Sequence, residues 1–208
     1  FNLDNGQQSY VSFSQNEDLH GLNYFSRLYD AIASHHVVSL QYHKFTGEAW
    51  ERIVHPYQLR QYNNRWFLVG KEPVKFEKLP LVVIPLDRID DYKFLETESY
   101  EPYEGDIDTC FKNIVGVSLK FNESCQHIVF KAYPPTSSYI ETKPIHHSQR
   151  VVERHEDYIL FSLDLIPNYE FETIMMSYVD NCEILEPQDL KDTLVNRAKN
   201  IIKINTDI

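Results

Sequence analysis

The chain has 208 residues, 42% of them hydrophobic and 25% charged, an ordinary composition for a soluble globular protein and enough for two small domains. No window approaches the roughly 18 to 20 consecutive apolar residues that cross a bilayer, and the start "FNLDNGQQSY" lacks the basic and apolar regions of a signal peptide. The net charge of −11 opposes phosphate binding by the chain taken as a whole, and the 13% aromatic content favours aromatic-rich sheets.

Residues 1–21 are rich in Asn, Gln and Ser without a sustained period, and read as a linker or arm. In "LNYFSRLYDAIASHH" the apolar residues Leu22, Phe25, Leu28, Tyr29 and Ile32 recur at three and four positions, which predicts an amphipathic helix ending near His35. Strand material follows: "VVSLQYHKF", a turn at Thr46 and Gly47, then "AWERIVHPYQLRQY", a tight turn at Asn63 and Asn64, and "RWFLVGK". "LPLVVIPLDRIDDYKFL" reads as a further strand, with Pro80 and Pro85 marking an edge, a bulge or an interruption. One helix and four or five short antiparallel strands over residues 22–98 suggest a small open barrel of the SH3-like or Sm-like kind.

Residues 99–115 are acidic, contain Pro and Gly, and read as a linker. The pattern restarts at Gly116. "GVSLKF" predicts a strand, and Asn122 an N-cap for a short helix through "ESCQHIVFKAY". "SQRVVERHEDYILFSLDLI" predicts a hairpin turning near His155 to Asp157. "NYEFETIMMSYV" predicts a helix, "CEILEP" a strand and "QDLKDTLVNRAKNIIKI" a terminal helix. Strand, helix, two strands, helix, strand over 116–208 is the order of a ferredoxin-like sandwich, so the fold class expected is α+β in two domains.

Catalytic motifs are missing from the sequence. There is no GxSxG, P-loop or GxGxxG, and the carboxylate runs "YEPYEGDID" and "ERHED" read as a solvated linker and a hairpin tip rather than an acid–base pair. The histidine doublets His35-His36 and His146-His147 lack metal-ligand spacing, because adjacent residues face different ways on a helix or strand. No metal, cofactor or enzymatic activity is expected. Cys110, Cys125 and Cys182 form neither a disulfide framework nor a metal motif, which fits a cytoplasmic protein.

Charge is unevenly distributed. Phe25 to Glu96 holds ten Lys and Arg against nine Asp and Glu, leaving ten against twenty-two to the rest of the chain. Within this near-neutral segment, alternation places Trp66 and Leu68 on one face of their strand and Arg65 and Phe67 on the other. Arg52, Val54 and Pro56 likewise oppose Ile53, His55 and Tyr57. Arginines beside Tyr, Trp or His make a surface for stacking bases and pairing phosphates. The plainer reading is that Trp66 and its neighbours are core and that Arg88, in "PLDRI", pairs with Asp87 or with a neighbouring strand.

The run "ERIVHPYQLRQYNNRWFLVGKEP", followed by "PLDRIDDYKFL", resembles the WYL-domain family of bacterial transcription regulators. The family's Trp-Tyr-Leu triplet falls on Trp66, Phe67 and Leu68, with phenylalanine in place of tyrosine. Its Arg-x-x-x-Pro-x-x-Leu pattern falls on Arg52, Pro56 and Leu59, its Leu-Asp-Arg-Ile on Leu86 to Ile89, and the tyrosine of its first strand on Tyr42. The chain from Gly116 is similar to the ferredoxin-like extension that follows many WYL domains. The resemblance implies an Sm-like barrel that senses a ligand, in some members single-stranded DNA, and a DNA-binding winged helix N-terminal to it. No winged helix can be read before Leu22 and residue 1 is Phe, so the chain is expected to be a fragment holding the effector half.

Many members carry a second basic residue two positions before the aspartate of that motif, where this chain has Pro85. Arg52, Arg65 and Arg88 are then left to supply charge, with Tyr42, His55, Tyr57 and Trp66 as rings. The function expected is an effector-sensing and oligomerisation module, homodimeric, that binds a nucleotide-like or single-stranded nucleic acid ligand on the barrel. A purely structural dimerisation module is the alternative.

Overall fold

The computed structural model describes residues 21–44, 47–73 and 80–206. The arm over the first twenty residues and Thr46 of the first turn lie outside the described residues. The chain divides into two units, Phe1–Pro102 and Tyr103–Ile208.

In the first unit, a 3-10 turn (Leu22–Tyr24) leads into helix α1 (Phe25–Ala33). Leu28 and Ala31 are fully buried and Phe25 and Ile32 pack beside them, as the three-and-four spacing requires. The helix stops in a Schellman-type cap: His35 adopts φ 56°, and the His36 N–H donates to the Ala31 carbonyl at 2.9 Å. Strands β1 (Val38–Tyr42), β2 (Trp50–Tyr62), β3 (Arg65–Lys71), β4 (Val82–Pro85) and β5 (Ile89–Phe94) form one antiparallel sheet in the order β4-β3-β2-β1-β5.

β2 belongs to two ladders. Its first residues pair with β1, Val38 opposite Val54 and Tyr42 opposite Trp50, and the rest pair with β3, Leu59 opposite Leu68. A bulge between Pro56 and Gln58 lies where Pro56 offers no N–H to the ladder. Asn63 and Asn64, at φ 47° and 60°, make the two-residue turn between β2 and β3, whose positive φ values match the twist of a hairpin.

The long strand expected over "LPLVVIPLDRIDDYKFL" is instead two strands separated by a 3-10 turn at Leu86–Arg88. Pro85 ends β4 opposite Phe67, and the chain then crosses to pair with β1, Val38 opposite Phe94. β4 and β5 are the two edges, and no ladder joins them among the described residues, so the sheet is open rather than a closed barrel. Its core is Leu28, Val38, Leu40, Val54, Leu68, Ile84, Leu86 and Ile89. Gly21, at φ 88°, seats the chain against the 3-10 turn; a Cβ there would meet the Leu86 carbonyl oxygen at 2.1 Å.

In the second unit, a short helix α2 (Ile107–Phe111) precedes β6 (Gln126–Ala132), α3 (Thr136–Thr142), β7 (Arg150–Arg154), β8 (Ile159–Leu165), α4 (Tyr169–Ser177), β9 (Cys182–Glu186) and α5 (Gln188–Thr206). The sheet order β7-β8-β6-β9, antiparallel throughout, is that of the split βαβ sandwich. The element order expected from sequence therefore holds with different occupants. "GVSLKF" forms no strand, and the segment read as a helix after Asn122 contains β6. In β6, Ile128, Phe130 and Ala132 alternate inward at the period of a strand, and the Phe130 and Phe161 rings stack at 5.3 Å. The helix that fills this place in the order is α3.

The interval read as a linker over 99–115 contains α2, which Asp106 caps by accepting from the Asp108 N–H at 3.0 Å. Asn168, fully buried, caps α4 and donates to the carbonyls of Val115 and Ser118, tying the irregular segment before β6 to the sandwich.

Candidate functional site

The seven residues singled out from sequence all lie in the first unit, and the structure sorts them into three groups. Tyr42, Arg52 and Arg88 converge. The β1–β2 register sets Tyr42 opposite Trp50 and Leu40 opposite Arg52, so these side chains share the face that carries the core and extend it to the end of the sheet. Arg52 holds its guanidinium carbon 5.0 Å from the centre of the Tyr42 ring, within cation–π range. Arg88, on the 3-10 turn between β4 and β5, donates from Nη1 to the Tyr42 hydroxyl at 3.3 Å. One buried tyrosine is thus addressed by one arginine at its face and another at its hydroxyl. The Trp50 ring meets Tyr42 edge-on at 5.1 Å, and the Lys44 ammonium lies 5.6 Å from the Trp50 ring centre.

Glu72 completes the group. Its Oε1 accepts from Arg52 Nε at 2.6 Å, with side chains 16% and 15% exposed. The pair is largely desolvated, so the bond is charge-assisted and strong, and Glu72 occupies one edge of the guanidinium fork. A polar cleft of about 400 Å³ adjoins the turn, lined among others by His43, Asp87, Ile89 and Asp90, so its walls include both sequence neighbours of Arg88.

His55 and Tyr57 do something else. His55 Nδ1 accepts from the Glu101 N–H at 3.0 Å, and the Tyr57 hydroxyl donates to the Glu101 carbonyl at 2.8 Å. The Tyr100 hydroxyl donates to the Pro56 carbonyl at 3.0 Å, and its ring lies 6.0 Å from both the His55 and the Tyr57 rings. Lys71 adds an ion pair to Glu101 that holds this carboxyl below the usual range. Together they clasp the chain after β5 onto β2. Burial pushes the His55 pKa below its ordinary value, against the opposing pull of Glu101, and the accepting Nδ1 requires the neutral Nε2–H form.

Arg65 and Trp66 form the third group. Arg65 pairs with Asp87, so the aspartate preceding Arg88 binds the arginine of β3. Trp66 packs on the core with its ring edge-on to Phe25 at 4.7 Å, which is the core reading of this tryptophan. Sequence reasoning missed Trp50, Glu72 and Tyr100. Trp50 was within reach as the residue that the hairpin register places across from Tyr42, whereas Glu72 and Tyr100 reach their partners through long-range geometry that no local pattern marks.

Among the described residues, no helix is long and apolar enough to cross a membrane. The model of the WYL domain matches residues 23–93 and that of the WCX domain residues 126–202. No curated protein matches the chain significantly. Among solved structures, the chain is similar to proteasome accessory factor B/C (PafBC) of Arthrobacter aurescens, at 16% identity, a TM-score of 0.41, and coverage of 94% of this chain and 29% of that one. It is also similar to a CRISPR Cas-related protein known from a crystal structure, at 9% identity, a TM-score of 0.51, and coverage of 90% of this chain and 53% of that one. The chain therefore spans less than a third of the first protein and about half of the second. The chain therefore carries a WYL domain over residues 23–93 and, in tandem, a WCX domain over residues 126–202, together more than two thirds of its residues.

Proposed function

We propose that the chain is the effector-sensing and oligomerisation part of a bacterial transcription regulator, non-enzymatic and cytoplasmic. Its first unit binds an anionic ligand, nucleotide-like or single-stranded nucleic acid, and in the longer protein it acts on an N-terminal DNA-binding domain. The single observation that carries this reading is the convergence of Arg52 and Arg88 on Tyr42. A ligand phosphate can take the fork of Arg52 in place of Glu72, and a base can stack on the exposed ring of Trp50. The helix before β1, the order β4-β3-β2-β1-β5 and the 3-10 turn between the last two strands support an Sm-like reading of this unit.

The ligand shifts the regulator only through different affinities for its two states. Release of Arg52 from Glu72 on binding is the local change from which that difference arises.

The experiment is fluorescence anisotropy of labelled single-stranded DNA oligonucleotides and of a nucleotide panel, titrated with the protein and with Arg88→Ala at two salt concentrations. Binding that weakens with salt and is lost in Arg88→Ala is expected. Binding to none of these by a folded protein would overturn the sensing function and leave the second reading, a dimerisation module without a ligand. That reading is favoured by the apolar residues left exposed on α5.

A further inference from the structure

The 3-10 turn Leu86–Arg88 is too short to fix its own shape. It has no side-chain cap, and its closing bond runs from the Ile89 N–H to the Leu86 carbonyl. Four supports from other parts of the first unit hold it. The Leu86 side chain is buried in the core, the His43 N–H donates to the Arg88 carbonyl at 3.1 Å, Gly21 is seated against the Leu86 carbonyl, and Arg65 pairs with Asp87. The first three act on main chain or core. Of the four, the last alone takes up a charge.

Arg65 lies on the wrong face of the sheet to meet a ligand at Tyr42. Leu68, opposite Leu59, faces the core, and alternation along β3 puts Trp66 with it and Arg65 and Phe67 on the other face. Tyr42 and Arg52 share the face that carries the core. The turn connects the two sides, for Asp87 reaches Arg65 and the next residue, Arg88, reaches the Tyr42 hydroxyl. The Asp87 side chain is only 16% exposed, and its Oδ1 is buried with no hydrogen-bond partner among the described residues. Arg65 therefore supplies the counter-charge of a carboxylate held largely out of water.

We infer that Arg65 is a positioning residue: by holding Asp87 on the far face of β3, it leaves Arg88 turned toward Tyr42 and available to an anionic ligand. This rests on the sensing function proposed above and goes beyond it in giving Arg65 a role without ligand contact. Removal of Arg65 strands the Asp87 carboxylate, and the guanidinium of Arg88 is the cation within the same turn that can replace it. Arg88 is then drawn from Tyr42 into an internal ion pair, and its charge is lost to the ligand. Removing the Asp87 charge as well removes the cause, so the two changes together harm binding less than the first alone.

The test uses the whole chain, a fluorescein-labelled oligothymidylate and four proteins: unaltered, Arg65→Met, Asp87→Asn and the double variant, with circular dichroism as the check on folding. Anisotropy titration should show the dissociation constant raised at least about tenfold in Arg65→Met and returned to within about threefold of the unaltered value in the double variant. The salt dependence should shrink by about one phosphate contact in Arg65→Met and recover in the double variant, which lacks Arg65 altogether. A merely structural role would move stability without this recovery. Binding that stays lost in the double variant gives Arg65 a direct ligand contact and overturns the inference; where Arg65→Met does not fold, the double variant decides the titration alone. A second readout needs no ligand. The side-chain Nε–H resonance of Arg88, identified by its loss in Arg88→Lys, should shift in Arg65→Met and return in the double variant. A resonance indifferent to Arg65 overturns the positioning role. A resonance that responds in this way while the oligonucleotide binds to none of the proteins sustains the positioning role and counts against single-stranded DNA as the ligand.

Discussion

Replacing Glu72 by Gln separates what this residue does for stability from what it withholds from a ligand. Arg52 Nε and Glu72 Oε1 meet at 2.6 Å, and both side chains are about five-sixths buried. A charge-assisted hydrogen bond in such surroundings is worth about 1.5–3 kcal/mol. Gln keeps the shape and one accepting oxygen, so Glu72→Gln should cost about 1–3 kcal/mol, less than the roughly 3–5 kcal/mol of stranding a buried charge outright. The same change removes the carboxylate with which an incoming phosphate competes. If Glu72 must leave Arg52 before the ligand binds, affinity for a nucleotide or oligonucleotide should rise about tenfold to a hundredfold. Urea unfolding followed by tryptophan fluorescence gives the first quantity and anisotropy titration the second. The two should move in opposite directions, and saturating ligand should return part of the lost stability. An unchanged urea midpoint would refute the claim that the pair is desolvated. Weaker anion binding in the variant would refute the claim that Glu72 competes.

Acidification should destabilise the protein in the range where histidine titrates. Burial is the first cause that lowers the pKa of both His55 and His146 below 6.5. The unfolded chain therefore binds more protons than the folded one as pH falls through 6.5, so the stabilisation is full above that value and is lost toward and below the folded pKa values. Urea midpoints at about pH 7.5 and about pH 5.5 should show the decline, and a flat or rising midpoint would contradict the assigned neutral forms. Asn168→Ala should cost about 2–4 kcal/mol, because it removes the α4 cap and strands the carbonyls of Val115 and Ser118 that the amide serves. Its effect should appear in amide exchange of residues 115–118 before that of β6, and protection unchanged there would count against the role assigned to it.

What could be read from sequence was local. The three-and-four spacing of Phe25, Leu28 and Ile32 placed α1, and the Asn63-Asn64 pair placed the β2–β3 turn. The alternation after Asn122 was read at the wrong period, since "HIVFKAY" is short and both periods bury part of it. Its inward residues were fixed by pairing with β8, a partner more than twenty residues away. The family motif carried Arg52, Arg88 and Tyr42 to attention together, but their meeting depends on β5 pairing with β1 across the 3-10 turn. Parity along β2 set His55 and Tyr57 apart from Arg52, but that both fasten the segment after β5 depends on long-range partners that no local pattern marks.

The clasp on Tyr100 and Glu101 also sets a length. Residues that follow β5 are held against β2, so the free length of chain leaving the first unit is fixed by hydrogen bonds as well as by residue count. Each residue released adds at most about 3.3–3.6 Å of extended chain. The strand that bears the clasp also bears Arg52, three residues before His55. An event at the arginine is thereby placed on the same strand as the fastening, three residues from the histidine that holds Glu101.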